Sequence, residues 1–348
     1  MTELSLFCIL NSSDMGEIGI MDKHQIDIKE NYINRLDREL LIILLKDRSS
    51  GKNIIWATDN YAHKGVGFQK HDHIELSSIT GYNGNVVRPR TVKSKREQLA
   101  RIRQKAEVFT PSWICNKQNN LVDDEWFGMK NVFNTEHGQE WLVTDTKISF
   151  PTLTGKTWED YILDTRLEIT CGEAPYLVSR YDTVSGEYIE LHCRIGLLDR
   201  KMRVVAENTE TEEEWCKWAK TAFQNIYGYD WQGDNVLLAR ENLLLSYVDY
   251  FKARFNKEPE IQNLREIAEI LSWNIWQMDG LKFVIPDSCE EVDDGQLRLF
   301  DCGVEKTPCE GCAKNNPVLH TGIFCKIKDW KRNKTVKFIS LLENGVGK

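Results

Sequence analysis

No apolar run in the sequence approaches the roughly 20 residues that a bilayer-crossing helix requires, so a membrane span is excluded. The first residues, Met1-Thr-Glu-Leu-Ser-Leu-Phe-Cys-Ile-Leu10, lack both a basic leader and a small-residue cleavage site. A cytoplasmic protein with no membrane partner is therefore expected. An overall basic charge is also missing. The net charge is −8, which excludes a chain that is positive over its whole surface. Internal repeats and low-complexity tracts are absent, so a solenoid is not expected. Proline is scarce, and no two prolines adjoin.

What is present suits a packed, mixed domain. A hydrophobic share of 41% over 348 residues supports one large domain with an appendage, or two domains. The ten cysteines, without an export signal, read as reduced thiols or metal ligands rather than disulfides. Positive charge is concentrated in two strips. Arg88, Arg90, Lys93, Lys95, Arg96, Arg101, Arg103 and Lys105 face only Glu97, and Lys326, Lys328, Lys331, Arg332, Lys334 and Lys337 face only Asp329. Local basic strips on an acidic body fit a polyanion touched at chosen places, with a solvated surface as the plain alternative.

Along the chain, residues 30–47 form an amphipathic pattern of helical period, followed by an extended segment at Asn53–Thr58. The basic run Ser94–Lys105 has helical composition. At Thr110-Pro111 a helix-entry signal places Thr110 as cap and Pro111 in the first helical position. Helical spacings recur within Lys201–Gln224, Asn235–Phe255 and Leu264–Leu271. Strands alternating with helices argue for a mainly parallel sheet, with ligands at its carboxyl ends.

Three features mark those ends. Arg166–Leu177 is an apolar strand running into a small-residue turn at Gly172. Ile226-Tyr-Gly-Tyr-Asp230 and Trp273-Asn-Ile-Trp-Gln-Met-Asp279 each end on a carboxylate. A turn that lets backbone approach, one acid for ribose hydroxyls and another acceptor for an adenine amine are what an adenosine-containing cofactor needs. Singly, each is ordinary, since a strand-end Asp is more often a cap. The order of the three carries the weight.

Near the end, Cys302, Cys309-Glu-Gly-Cys312, His320 and Cys325 have the spacing of a tetrahedral zinc site. The expected ligands are Cys302, Cys309, Cys312 and Cys325, with His320 as the substitute. The basic segment that follows could then present lysines to phosphate.

Several of these residues resemble a known family. Glu107-Val-Phe-Thr-Pro111 is similar to the Phe-Thr-Pro element of the gamma class of N6-adenine DNA methyltransferases, which includes type I modification subunits. Thr170-Cys-Gly-Glu-Ala-Pro-Tyr-Leu177 resembles their glycine-containing cofactor loop. Ile226–Leu245, with its Gly-Tyr-Asp followed by Ala-Arg and a Leu-rich end, resembles their second motif, and Asn274–Leu281 their third. The resemblance spans roughly Lys105–Leu281. It implies an α/β fold with a Rossmann-like class I methyltransferase sheet over residues 96–288; outside it the expected division is an N-terminal α+β region over 1–95 and a small Cys-rich, basic tail module over 289–348.

It also implies S-adenosylmethionine as cofactor, with Phe109 packing beside it, Thr110 and Pro111 shaping the pocket, and Thr170 and Gly172 in the loop. Asp230 would take the ribose and Asp279 the adenine. DNA is the implied substrate, with RNA left open, and a restriction or specificity subunit the implied partner. Three departures stand out. Glu173-Ala-Pro175 replaces the loop's second glycine, the long separation of Gly172 from Asp230 requires an insertion around Ser179–Thr209, and no Pro-Pro catalytic element occurs. Asn316, in the single Asn-Pro, is the one candidate amine acceptor. The alternative is a catalytically degenerate subunit of the same fold that serves DNA binding or partner assembly.

Overall fold

The computed structural model describes residues 30–105, 107–151, 155–290, 292–293 and 306–341. In chain order its helices and strands are α1 (Glu30–Leu36), α2 (Arg38–Leu45), α3 (Leu76–Ile79), α4 (Lys95–Lys105), α5 (Ser112–Phe127), β1 (Asn134–His137), β2 (Glu140–Val143), α6 (Trp158–Leu163), β3 (Arg166–Ile169), α7 (Leu197–Asn208) and α8 (Glu212–Gln224). There follow β4 (Ile226–Asp230), α9 (Gly233–Phe255), α10 (Ile261–Asn274), β5 (Ile275–Gln277), β6 (Val292–Asp293), β7 (Lys306–Thr307), α11 (Glu310–Lys314), β8 (Lys326–Asp329) and β9 (Lys334–Lys337).

The chain is mixed α/β with small sheets. The central sheet has three parallel strands in the order β3-β4-β5, registered Arg166 to Ile226 and Gly228 to Ile275. Parallel neighbours need long crossovers. Helices α7 and α8 supply the first, and α9 and α10 the second. The other sheets among the described residues are antiparallel pairs, β1-β2, β6-β7 and β8-β9. No described helix is long and apolar enough to cross a membrane.

One apolar core runs from Ile33 and the Leu40–Leu45 stretch through Trp56 to α7, α8, α9 and α10. On the other face of the sheet, Tyr229, Trp276 and Met278 pack with Cys325 and Ile327, which brings the β8-β9 hairpin against the strands. The pattern at 30–47 breaks into two helices at Asp37, whose carboxylate accepts from the Glu39 N–H and starts α2. The helix entry near Thr110 is shifted. Pro111 is the N-cap of α5 with no side-chain cap bond, and Ser112 takes the first helical position.

Fully buried Arg240 in α9 ties the second crossover together. Its guanidinium donates to the carbonyls of Ile275 (2.8 Å), Lys46 (3.0 Å), Ser272 (3.2 Å) and Leu44. It thereby satisfies chain ends of α2 and α10 at the start of β5, while burial lowers its pKa to about 9. Replacing Arg240 with Met leaves four buried carbonyls without a donor. We expect a loss of about 3 kcal/mol, read as a lower urea midpoint, with Arg240→Lys recovering only part. An unchanged midpoint would contradict this role.

Candidate functional site: a cleft at the ends of two adjacent parallel strands

The loop after β3 is strained. Thr170 (φ 48°), Gly172 (φ 53°) and Ala174 (φ 63°) all have left-handed backbone. For Thr and Ala such conformations cost about 1–3 kcal/mol each and persist only when the surroundings fix them. Here they do. Cys171 N–H donates to the Tyr229 carbonyl (2.8 Å), and Ala174 N–H to that of Cys171 (2.7 Å). Buried Glu173 accepts from the Arg90 N–H (2.6 Å) and the Tyr181 hydroxyl (2.6 Å). A Cβ at Gly172 would stand 3.2 Å from the Phe109 ring, so the loop and the Phe-Thr-Pro segment meet through the missing side chain.

Asp230 closes the loop from below. Its Oδ2 accepts from Gly172 N–H (2.9 Å), and its Oδ1 from Gln232 N–H (2.9 Å) and Asn235 Nδ2 (3.4 Å). Burial raises its pKa to about 6, against the pull of those N–H groups. Phe109, Thr110, Thr170, Gly172 and Asp230 together line one cleft of about 1000 Å³, along with Trp231 and Glu107. Trp231 is 36% exposed, and its indole N–H donates to the Ala57 carbonyl (3.1 Å). Pro111 does not line the cleft.

Asp279 does not line it either. Its Oδ1 accepts from Leu281 and Lys282 N–H (3.0 and 3.2 Å), which closes a turn, and its Oδ2 lies 3.7 Å from Lys282 Nζ. The adenine role drawn for it lacks the geometry, because β5 ends at Gln277, before that turn. The Gln277 amide accepts from Ile55 N–H (2.9 Å) and donates to the carbonyls of Ile55 (2.9 Å) and Trp231 (2.8 Å). The predicted strand at Asn53–Thr58 is thus an extended segment with isolated bridges to Lys46 and His73, tied to β5 through the Gln277 side chain and to the start of α9 through the Trp56 carbonyl.

Beneath the cleft lies a buried ionic network at the start of α9. Asp234 accepts from the Tyr61 hydroxyl (2.7 Å) and Arg101 (2.8 Å), with Lys93 Nζ 3.6 Å away. Burial pushes its carboxyl up, but the two cations and Tyr61 outweigh this and hold it at about 2. Arg101 also bonds Glu107 (2.5 Å), which accepts from Gln232 (2.8 Å). Lys93 and Arg101, expected on the nucleic-acid face, are therefore interior. Arg90 faces inward as well, 5.5 Å from the Phe109 ring centre. Arg88 pairs with Glu97 (2.8 Å), while Lys95, Arg96 and Arg103 are exposed on α4. In the hairpin, Lys328 lies over Trp330 (4.3 Å), and Lys331 and Arg332 are exposed at the turn.

The cysteine cluster differs from the expected set. The ligand atoms of Cys289, Cys309, Cys312 and His320 all lie within 4.8 Å of one another, a group that can hold a metal ion such as zinc. Cys325 is excluded because it is buried in the core against the sheet, its thiol donating to the Gln277 carbonyl (3.3 Å). Cys302 lies outside the described residues. Cys289, in Pro286-Asp-Ser-Cys289, was missed because it is distant from the Cys-x-x-Cys pair in sequence. Asn316 is no amine acceptor here: its Oδ1 caps the Pro317–Leu319 turn by accepting from Val318 N–H (3.1 Å), and it does not line the cleft.

Comparison with protein-family models, curated proteins and solved structures finds no match to this chain.

The Asp234 network makes an acid-sensitivity prediction. Its folded pKa lies below the unfolded value of about 3.8, so its stability contribution is present above that value and fades as pH falls through about 2. Asp234→Asn should lose about 3 kcal/mol at pH 7 by leaving Arg101 and Lys93 underpaired. It should also lack this share of the acid loss between pH 4 and 2. Urea midpoints measured against pH decide it, and parallel curves for the two proteins would contradict the assignment.

Proposed function

We propose that the cleft binds S-adenosylmethionine, and that the chain is a DNA adenine-N6 methyltransferase-like component of a restriction-modification or phage-related system. The three-stranded sheet is then one half of a Rossmann-like class I sheet. The observation that carries the reading is convergence: Phe109 and Thr110, Thr170 and Gly172, and Asp230 come from three separate segments to one cleft at the ends of adjacent parallel strands.

The residues present fit such a cofactor. A carboxylate has about four acceptor positions, and Asp230 Oδ2 uses one of its two for Gly172, leaving another for a ribose hydroxyl. The exposed Trp231 plane beside it suits an adenine ring, and Phe109 an adjacent cation. Bound there, the cofactor supplies an activated methyl carbon to a nucleophilic amine. The chain's own residues hold and orient it, and Glu107, tied to Arg101 and Gln232, fixes the cleft wall. Phosphate contacts fall to the cations left exposed, Lys95, Arg96 and Arg103 on α4 and Lys331 and Arg332 on the hairpin.

One observation favours a second reading, a subunit that works only with a partner. The outer side of β3 pairs with no described strand, and its Leu167 and Ile169 are 44% and 62% exposed. Parallel sheets are ordinarily covered, and open edges invite another strand. Leu167 and Ile169 also line the cleft. A strand from a restriction or specificity subunit would fit that edge and could bring the amine acceptor not found among the described residues.

Calorimetry with S-adenosylmethionine should show binding that weakens below about pH 6, where Asp230 takes up a proton. Asp230→Ala should abolish it, and Trp231→Ala should reduce affinity about tenfold, the value of one aromatic stack. Absence of binding by the unaltered chain would defeat the reading. Labelled-methyl transfer to DNA by the chain alone supports the enzyme, transfer only with neighbouring-gene subunits supports the partnered form, and transfer in neither case contradicts both. Alanine at Lys95, Arg96 and Arg103 together should lower DNA affinity and flatten the salt dependence by about 0.9 per lost phosphate contact. Arg101→Met should instead lower stability. Equal effects of both variants on DNA affinity alone would contradict the split.

A further inference from the structure

We infer that Cys289, Cys309, Cys312 and His320 form a closed structural zinc site whose role is to pin the mouth of the cleft. The geometry is that of the ion. With Zn–S of about 2.3 Å, Zn–N of about 2.0–2.1 Å and tetrahedral angles, a sulfur and a nitrogen ligand stand about 3.5–3.6 Å apart. His320 Nδ1 lies 3.5, 3.6 and 3.6 Å from the sulfurs of Cys289, Cys309 and Cys312. Three thiolates and an imidazole are a soft set that selects zinc over magnesium or calcium. Four protein ligands leave no open position, so the site is structural and activates no water. The backbone is shaped around it: a Cβ at Gly311 would meet His320 N at 2.6 Å, and one at Gly322 would stand 3.1 Å from Cys289 Sγ.

The ligands come from two segments. Three belong to residues 309–320, whereas Cys289 lies two residues beyond Asp287, which lines the cleft. Asp287 has φ 55° and lies near Lys70 Nζ (3.7 Å), which also lines the cleft, and His71 Nδ1 (3.9 Å). The segment's other ties to the tail fall on residues 321–325, including a Val284–Phe324 bridge and a bond from the Thr321 hydroxyl to the Glu290 carbonyl (3.3 Å). Ile285 N–H donates to the Ile323 carbonyl (2.9 Å), Cys325 N–H to that of Phe283 (3.0 Å), and Ile323 N–H to Ser288 Oγ (3.0 Å). An exposed ion pair contributes little on its own. A metal cross-link between residues 289 and 309–320 fixes the end of the segment and so holds Asp287 in its strained conformation against Lys70. Metal occupancy and the order of the cleft mouth are thereby one equilibrium.

The test uses the full chain. Metal analysis should find about one zinc per chain, lost in Cys289→Ser and Cys312→Ser and kept in Cys325→Ala. Removal of the metal by a chelator should speed hydrogen exchange about tenfold in residues 283–289 and also in 69–72, the segment that carries Lys70. The amides of α9 should be unchanged, and added zinc should restore protection. No zinc in the purified protein, zinc retained by Cys289→Ser, or metal loss without change at 69–72 would each overturn the inference. Weaker S-adenosylmethionine binding by the metal-free chain is a further expectation that rests on the cofactor reading. The exchange measurement needs no cofactor, so the failure of either idea is seen separately.

Discussion

A carboxylate without water and the two cations that answer it set the frame of this molecule. Asp234 is fully buried in the first turn of α9, where the helix dipole favours negative charge. Alone it could not stay ionised there. Arg101 and Lys93 make it possible, and Arg101 passes the constraint to Glu107 and from there to Gln232. Tyr61, the segment from Lys93 to Glu107 and the start of α9 are far apart in sequence and locked together by this one charge balance. Buried ionic groups of this kind contribute little net stability but tolerate few alternative arrangements, which suits a site that must hold its shape.

The cleft inherits that rigidity. Gln232 sits between the network and Asp230, and Asp230 in turn holds Gly172 in its left-handed turn. Glu173 completes the support from the other side through Arg90 and Tyr181. The strain stored at Thr170 and Ala174 is thus maintained by partners drawn from four segments, in the manner expected of a preorganised binding loop. The buried Glu173 carboxyl anchors the loop through Arg90 and Tyr181.

Much of the site could be read from the chain because the informative residues are neighbours in sequence. Ile226–Leu245 holds the strand, its terminal acid and the helix start, and the structure uses these three locally, whereas Arg240 in the same stretch reaches carbonyls far away in sequence. The errors arose where long-range partners decide. Charge counted along residues 88–105 could not show that Lys93 and Arg101 meet Asp234 in the interior. Asp279 ends an apolar run in sequence, yet the strand stops at Gln277 and the acid closes the turn beyond it. Cys325 is buried against the sheet and His320, the expected substitute, joins the cluster with Cys289, because spacing says nothing of which cysteine the sheet buries. That β3 is an edge strand among the described residues was equally invisible, since strand order is a property of the folded chain.

The account turns on what the cleft beneath Phe109 and Trp231 holds. Ultraviolet cross-linking of radiolabelled S-adenosylmethionine to the intact chain, followed by peptide mapping, addresses it most directly. The label should fall on the peptides carrying Phe109, Thr170–Leu177 or Trp231, and excess S-adenosylhomocysteine should compete it away. Label on other peptides, or labelling that the competitor leaves unchanged, would contradict it.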